Sequence, residues 1–144
     1  MFQHILLPTD GSELSEKAIH KTLQFASEVG ARVTGFYALS LYLPGFYPEV
    51  LPSTEQEFIE ASNARAKAYL GVIERVAQAL SVPCSTTTET TQHPYQAIIR
   101  VAEAQGCDLI AMASHGRRGV SGLLMGSETH KVLTHSKIPV LVFR

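Results

Sequence analysis

Short apolar runs alternate with stretches whose apolar residues recur at helical spacing, and this alternation is the strongest constraint on the fold. Successive parallel strands need a crossover of a dozen or more residues, usually a helix, so such a chain reads as a parallel sheet with helices on both faces. Residues 2–7 form an apolar run that ends at Pro8 and suits a strand buried on both faces. The turn formers Thr9, Asp10, Gly11 and Ser12 follow. Leu14, Ala18, Ile19, Leu23, Ala26 and Val29 mark a helix, with Gly30 placed as its C-terminal cap. Residues 32–38 predict a second strand.

Residues 39–53 break the pattern: Pro44, Pro48 and Pro52 interrupt a stretch carrying Tyr42, Phe46 and Tyr47, which reads as a loop or a broken helix. Its aromatic residues suit a lid, a partner surface or a loop packed on its own domain. Ser53 is placed to cap a long helix over 54–80, with Phe58, Ala61, Ala68, Val72, Val76 and Leu80 as its buried stripe. The threonine-rich residues 84–91 suit a half-exposed edge strand. Pro94 opens a helix with Ile98, Ile99 and Ala102 inward and Gly106 at its end. Residues 108–113 are a buried strand, 114–126 a glycine-rich loop, 127–135 a last helix and 138–143 a closing strand. The expected fold is a single α/β domain over 1–144: three α/β/α layers around a five-stranded, mainly parallel, Rossmann-like sheet of order 3-2-1-4-5. Ligands in such sheets lie outside the carboxyl ends of the strands, at a switch point between the first and fourth strands here.

Composition narrows the function. With 12 basic and 13 acidic residues the net charge is −1, so the basic excess of a general nucleic-acid binder is missing. No run approaches the roughly 20 apolar residues of a membrane span, and the start resembles no signal peptide. Cys84 and Cys107 form no disulfide framework and no metal-ligand pair, and the expected location is the cytoplasm. His130 and His135 are five apart and do not share a helix face as a metal pair would. A triad of Ser12, His115 and Asp10 lacks a nucleophile elbow, and no P-loop or G-x-G-x-x-G motif is present.

The chemistry concentrates in residues 114–127, which hold Gly116, Gly119, Gly122 and Gly126 with Arg117, Arg118 and a serine at the helix start, Ser127. Glycines let backbone N–H groups approach an anion, and a helix N-terminus adds free donors and a positive dipole end. These are the parts of a phosphate cradle, and a flexible crossover with an N-capping serine is the other reading of the same residues.

The whole chain resembles the universal stress protein family. Three stretches carry the likeness: Ile5-Leu6-Leu7-Pro8-Thr9-Asp10-Gly11-Ser12, the loop from Ser114 to Ser127, and Lys137-Ile138-Pro139-Val140-Leu141-Val142. ATP-binding members have G-x-x-G, nine residues, then G-[ST]; Gly116, Gly126 and Ser127 keep that spacing, while Ala113 stands in place of the first glycine.

The resemblance implies a pocket. Pro8, Thr9 and Asp10 would line its adenosine side, and Ala38 would meet the adenine edge with backbone groups. Met112 and Ala113 would flank base and ribose, with His115, Gly116 and Arg117 along the ribose and phosphates. Gly126, Ser127, Glu128 and Thr129 would hold the phosphates, although the Glu128 carboxylate must turn away or meet a cation. The implied ligand is ATP, with ADP, AMP or a cyclic nucleotide satisfying much of the same pocket. Asp10 would reach a ribose hydroxyl or a phosphate-bound Mg²⁺, and no other protein metal ligand and no catalytic residue is assigned.

The expected function is a nucleotide-responsive regulator in stress response with slow or no hydrolysis. The alternatives are a non-nucleotide-binding dimeric scaffold and an ATP-using enzyme. The resemblance also implies a homodimer paired through Val140–Phe143; removing residues 140–144 should give monomers or insoluble protein, and an unchanged dimer by light scattering would sink it.

Overall fold

The computed structural model describes residues 1–43, 54–116 and 125–144. The elements are β1 (His4–Pro8), α1 (Glu13–Val29), β2 (Arg32–Leu39), α2 (Glu55–Ala79), β3 (Cys84–Thr90), α3 (Pro94–Ala104), β4 (Leu109–Ala113), α4 (Ser127–His135) and β5 (Val140–Phe143). The five strands form one sheet in the order β3-β2-β1-β4-β5, every neighbouring pair parallel. This is the expected α/β architecture and strand order.

Alternation along the central strands sorts the core into two layers. Ile5 and Leu7 of β1 pack with Ile19 and Leu23 of α1 and Leu70 and Ile73 of α2. Leu6 points the other way, toward Ala97, Ile98 and Val101 of α3 and Val132 of α4. Helices therefore cover both faces, and β1 is apolar on both because both are sealed. Fully burying each such aliphatic side chain stabilises the fold by about 1.5–3 kcal/mol.

Local signals explain most boundaries. Ser12 caps α1 by accepting the Ser15 N–H (3.2 Å), and Glu13 and Glu16 suit the positive end of the helix. Gly30 ends α1 in the left-handed region (φ 73°). Pro94 opens α3. β3 is an edge strand, as its threonines suggest.

Some expectations shift. Thr54, not Ser53, caps α2, accepting the Glu57 N–H (3.2 Å); Ser53 lies outside the described residues. The α2 stripe is Phe58, Ser62, Ala66, Leu70, Ile73 and Ala77, whereas Ala68 and Leu80 are exposed and Ala61, Val72 and Val76 half-buried. The helix is turned because it lies over β2 and β3, where Leu70 and Ile73 enter the core and a small Ser62 is tolerated. Val29, the last residue of α1, is also exposed. Ile99 is half-buried while Ala97 and Val101 are buried beside Ile98.

The amino ends of the strands carry a polar clasp. The Asp108 carboxylate accepts the Gln3 (2.9 Å) and His4 (3.0 Å) N–H groups, and the Asp108 N–H donates to the His4 carbonyl (2.9 Å). Burial disfavours the charge of Asp108, but the N–H groups of His4 and Gln3 outweigh it and hold the carboxyl below the ordinary carboxylate range. His4 is buried, its Nε2 bonds Thr34 Oγ1 (2.7 Å), and its Nδ1 has no hydrogen-bond partner among the described residues. Burial and then the Arg32 charge lower its pKa below 6.5, against weaker opposition from the Gln105 carbonyl and Asp108. A depressed histidine pKa means that protonation favours the unfolded chain. Its contribution to stability is complete above about pH 6.5 and is lost as pH falls through the lower folded value. We expect the urea midpoint to fall between pH 7 and pH 5, and the fall to shrink in His4→Gln; equal pH slopes in the two proteins would refute the assignment. Nearby, burial and then the Asp108 charge raise the Cys107 thiol to about 11, so it stays protonated and unreactive near neutrality.

Candidate functional site

The carboxyl ends of β1 and β4, neighbours in the sheet, open onto the start of α4. After Pro8, the chain turns sharply into α1. The Thr9 N–H donates to the Phe36 carbonyl (2.9 Å), and buried Thr9 pairs its hydroxyl with Ser15 Oγ (2.7 Å) while accepting the Gly11 N–H (3.2 Å). Asp10 Oδ1 accepts the Ser12 N–H (2.9 Å). Gly11 has φ 78°, and a Cβ there would overlap the Tyr69 ring of α2.

Across the cleft, the Ser114 N–H donates to the Phe143 carbonyl (2.7 Å) and the Ser114 carbonyl accepts the Gly126 N–H (2.7 Å). One residue thus ties β5, the end of β4 and the start of α4 together. The Ser114 hydroxyl pairs with His115 Nδ1 (2.9 Å). Thr129 Oγ1 donates to the Ala113 carbonyl (2.8 Å), which pins the first turn of α4 to the last residue of β4.

Two glycines sit where a side chain would be crowded. A Cβ on Gly116 would overlap Asp10 Oδ2, so the Asp10 carboxylate lies directly against the Gly116 backbone. A Cβ on Gly126 would lie 3.0 Å from the Ser114 carbonyl oxygen and 3.2 Å from His115 Cα. Neither glycine has a positive φ. Gly126 occupies the cap position of α4 without a capping side chain, and the first-turn N–H groups of a helix have no intrahelical acceptor. Ala113 fits the place of the missing glycine: it is a buried β4 residue, and among the described residues Ser81 is the sole non-glycine with positive φ.

The structure therefore brings Pro8, Asp10, Ala113, His115, Gly116, Gly126, Ser127, Glu128 and Thr129 to one end of the sheet. The hydroxyls of Thr9 and Thr129 hold the site's own backbone, leaving Thr129 its N–H for a ligand. Met112 is buried in the core with Phe36 and Leu6. Ala38 is half-buried near the end of β2. Arg117 lies outside the described residues, as do Phe46 and Tyr47 of the aromatic stretch. Tyr42 packs on Phe58 with ring centroids 5.3 Å apart. That pair borders a cavity of about 200 Å³ beyond the end of β2, with Leu39, Ser62 and Thr90 in its wall. This largely apolar cavity has none of the glycine contacts found at the β1–β4 end. Among the described residues no cluster of three or more His, Cys, Asp or Glu could hold a metal ion, and no helix is long and apolar enough to cross a membrane.

Glu128 meets both an N–H donor and a cation. Its Oε2 accepts the Tyr95 N–H of α3 (2.9 Å), and Lys131 Nζ lies 3.5 Å from Oε1. Ser114 and Tyr95 are the site residues that sequence reasoning missed. Ser114 stands inside the motif and was open to recognition; Tyr95 meets Glu128 from 33 positions away, with no local signal.

Comparison with known proteins settles the family. The model of the universal stress protein family matches residues 1–144. The chain belongs to the universal stress protein family. A universal stress protein of Thermus aquaticus is 30% identical, the alignment covering 100% of each chain. The solved structure of the universal stress protein MJ0577 of Methanocaldococcus jannaschii superposes with a TM-score of 0.75 at 27% identity, covering 99% of this chain and 95% of that one. A universal stress protein solved in complex with cAMP has the same fold, with a TM-score of 0.74 at 23% identity over 99% of this chain and 97% of that one.

Proposed function

We propose that this universal stress protein binds an adenine nucleotide, foremost ATP with Mg²⁺, at the carboxyl ends of β1 and β4. It would act as a cytoplasmic, nucleotide-responsive regulator with slow or no hydrolysis, working as a homodimer through Val140–Phe143. The observation that carries the reading is the pair Gly116 and Gly126, where an added Cβ would crowd Asp10 and the Ser114–His115 backbone, beside a helix start with no capping side chain. Backbone N–H groups at such a start, with the helix dipole behind them, favour phosphate. The cAMP complex of a structural neighbour supports the ligand class. For Mg²⁺, the Asp10 carboxylate is a suitable hard oxygen donor beside Gly116; most other ligands would come from phosphate and water. When bound, the ion would neutralise phosphate charge. Asp10 and His115 are both held by neighbouring groups, which favours binding over water activation.

A thermal-shift titration tests the reading. A ligand that binds only the folded state at 100 times its Kd stabilises it by about 2.7 kcal/mol. We expect a rise in Tm with millimolar ATP and Mg²⁺ and little phosphate release. No rise would remove the nucleotide reading and leave the dimeric scaffold; rapid turnover would replace the regulator with an enzyme.

A further inference from the structure

We infer that Glu128 sets how much negative charge the cradle accepts, so that this chain discriminates against a metal-free triphosphate in favour of a monophosphate nucleotide. The inference rests on the nucleotide reading above. A phosphate-binding helix start normally offers only N–H donors and the positive end of its dipole. Here the second residue of α4 is a glutamate, so a carboxylate occupies the first turn.

That carboxylate is fixed. Its Oε2 accepts the Tyr95 N–H at 2.9 Å, and Tyr95 is the second residue of α3. The cap residue of α3, His93, makes no side-chain hydrogen bond to the helix, so Glu128 supplies a cap from another helix. Lys131 Nζ approaches Oε1 at 3.5 Å, one turn farther along α4, and also lies 5.4 Å from the Tyr95 ring centroid. One carboxylate from the first turn of α4 thus caps α3, with Lys131 beside it. It cannot leave this position without uncapping α3.

The consequence is electrostatic. Part of the positive potential at the α4 start is already offset by Glu128. Each further phosphate adds negative charge, and each added charge near a fixed carboxylate lowers affinity by a few-fold in a partly solvated site. Mg²⁺ offsets the same charge from the ligand side, so ATP with its metal remains a ligand.

Glu128→Gln isolates the charge, because the glutamine carbonyl can still accept the Tyr95 N–H. Affinities for AMP and ATP are measured by calorimetry in EDTA, and again for ATP with Mg²⁺. We expect the ratio Kd(ATP)/Kd(AMP) in EDTA to fall about three- to tenfold in Glu128→Gln and to rise in Lys131→Met. Mg²⁺ should narrow the gap between wild type and Glu128→Gln for ATP. A ratio unchanged in both variants, even with both constants moved together, would overturn the inference and leave Glu128 as a helix cap alone. If neither nucleotide binds wild type or variant, the nucleotide reading fails and this inference fails with it.

Discussion

Gly11→Ala is expected to lower the stability of the free protein by about 2–4 kcal/mol, a large share of what a domain this size commands. Two effects combine. Gly11 has φ 78°, where an L side chain costs about 1–2 kcal/mol. Its Cα also faces the Tyr69 ring so closely that a methyl group would overlap three ring carbons. The ring is not free to step aside without loss, because it makes an edge contact with Tyr37 (centroids 5.5 Å apart, 61° between planes). Overpacking of this kind usually costs about 1–3 kcal/mol.

A double-mutant cycle separates the two effects. In a Tyr69→Ala background the ring term vanishes, and Gly11→Ala should cost only the backbone term of about 1–2 kcal/mol. Urea unfolding of the four proteins measures both. A Gly11→Ala loss below about 0.5 kcal/mol would show that the turn relaxes freely, and an equal loss in both backgrounds would remove the role of Tyr69.

These contacts mark the limit of what the sequence reveals. The alternation of strands and helices, the cap at Gly30 and the start of α4 at Ser127 are legible, because each follows from local periodicity or from a residue suited to one local backbone geometry, and the strand order follows from that alternation only with the handedness of its crossovers. The burial of β1 on both faces is legible too, since an unbroken apolar run needs two covers. The α2 stripe is less so. Ala61, Ala68 and Val76 satisfy the same spacing as Ala66, Leu70 and Ile73, and only the position of β2 and β3 beneath the helix decides between them. The site divides in the same way. Its glycines and its helix start lie in one short segment and announce themselves. The contacts that shape it join residues far apart: Asp10 with Gly116, Gly11 with Tyr69, Glu128 with Tyr95. No local pattern encodes these, because each depends on which helix the sheet brings alongside. Ala113 is the converse case: it looks like damage to the motif, yet the strand that holds it asks nothing of a glycine.

Gly126→Val should abolish the nucleotide-induced stabilisation while leaving the protein folded. The first Cβ atom alone would come 3.0 Å from the Ser114 carbonyl oxygen and 3.2 Å from His115 Cα. Both are backbone atoms, so no side chain can rotate out of the way. The same Ser114 carbonyl already accepts the Gly126 N–H at 2.7 Å, and that bond would have to lengthen. Valine adds two further methyl groups on a stiff Cβ. The start of α4 must then retreat from the end of β4, and the N–H groups of Ser127, Glu128 and Thr129 lose their common aim. A surface location alone would suggest no cost to the free protein; the contacts argue for a loss of about 1–3 kcal/mol. The loss stays below the stability of an ordinary domain because the clash is confined to the cradle and the two core layers lie beneath it. Stabilisation by ATP and Mg²⁺ at concentrations that give wild type about 2.7 kcal/mol should fall below about 0.5 kcal/mol. Gly126→Ala should lie between, since one methyl group can be absorbed by a shift of a few tenths of an ångström. Thermal shifts with and without nucleotide, with circular dichroism of each free protein, measure both quantities. A folded Gly126→Val that keeps the full shift would place the phosphates elsewhere, because no phosphate cradle formed by the α4 start survives a side chain wedged between it and β4.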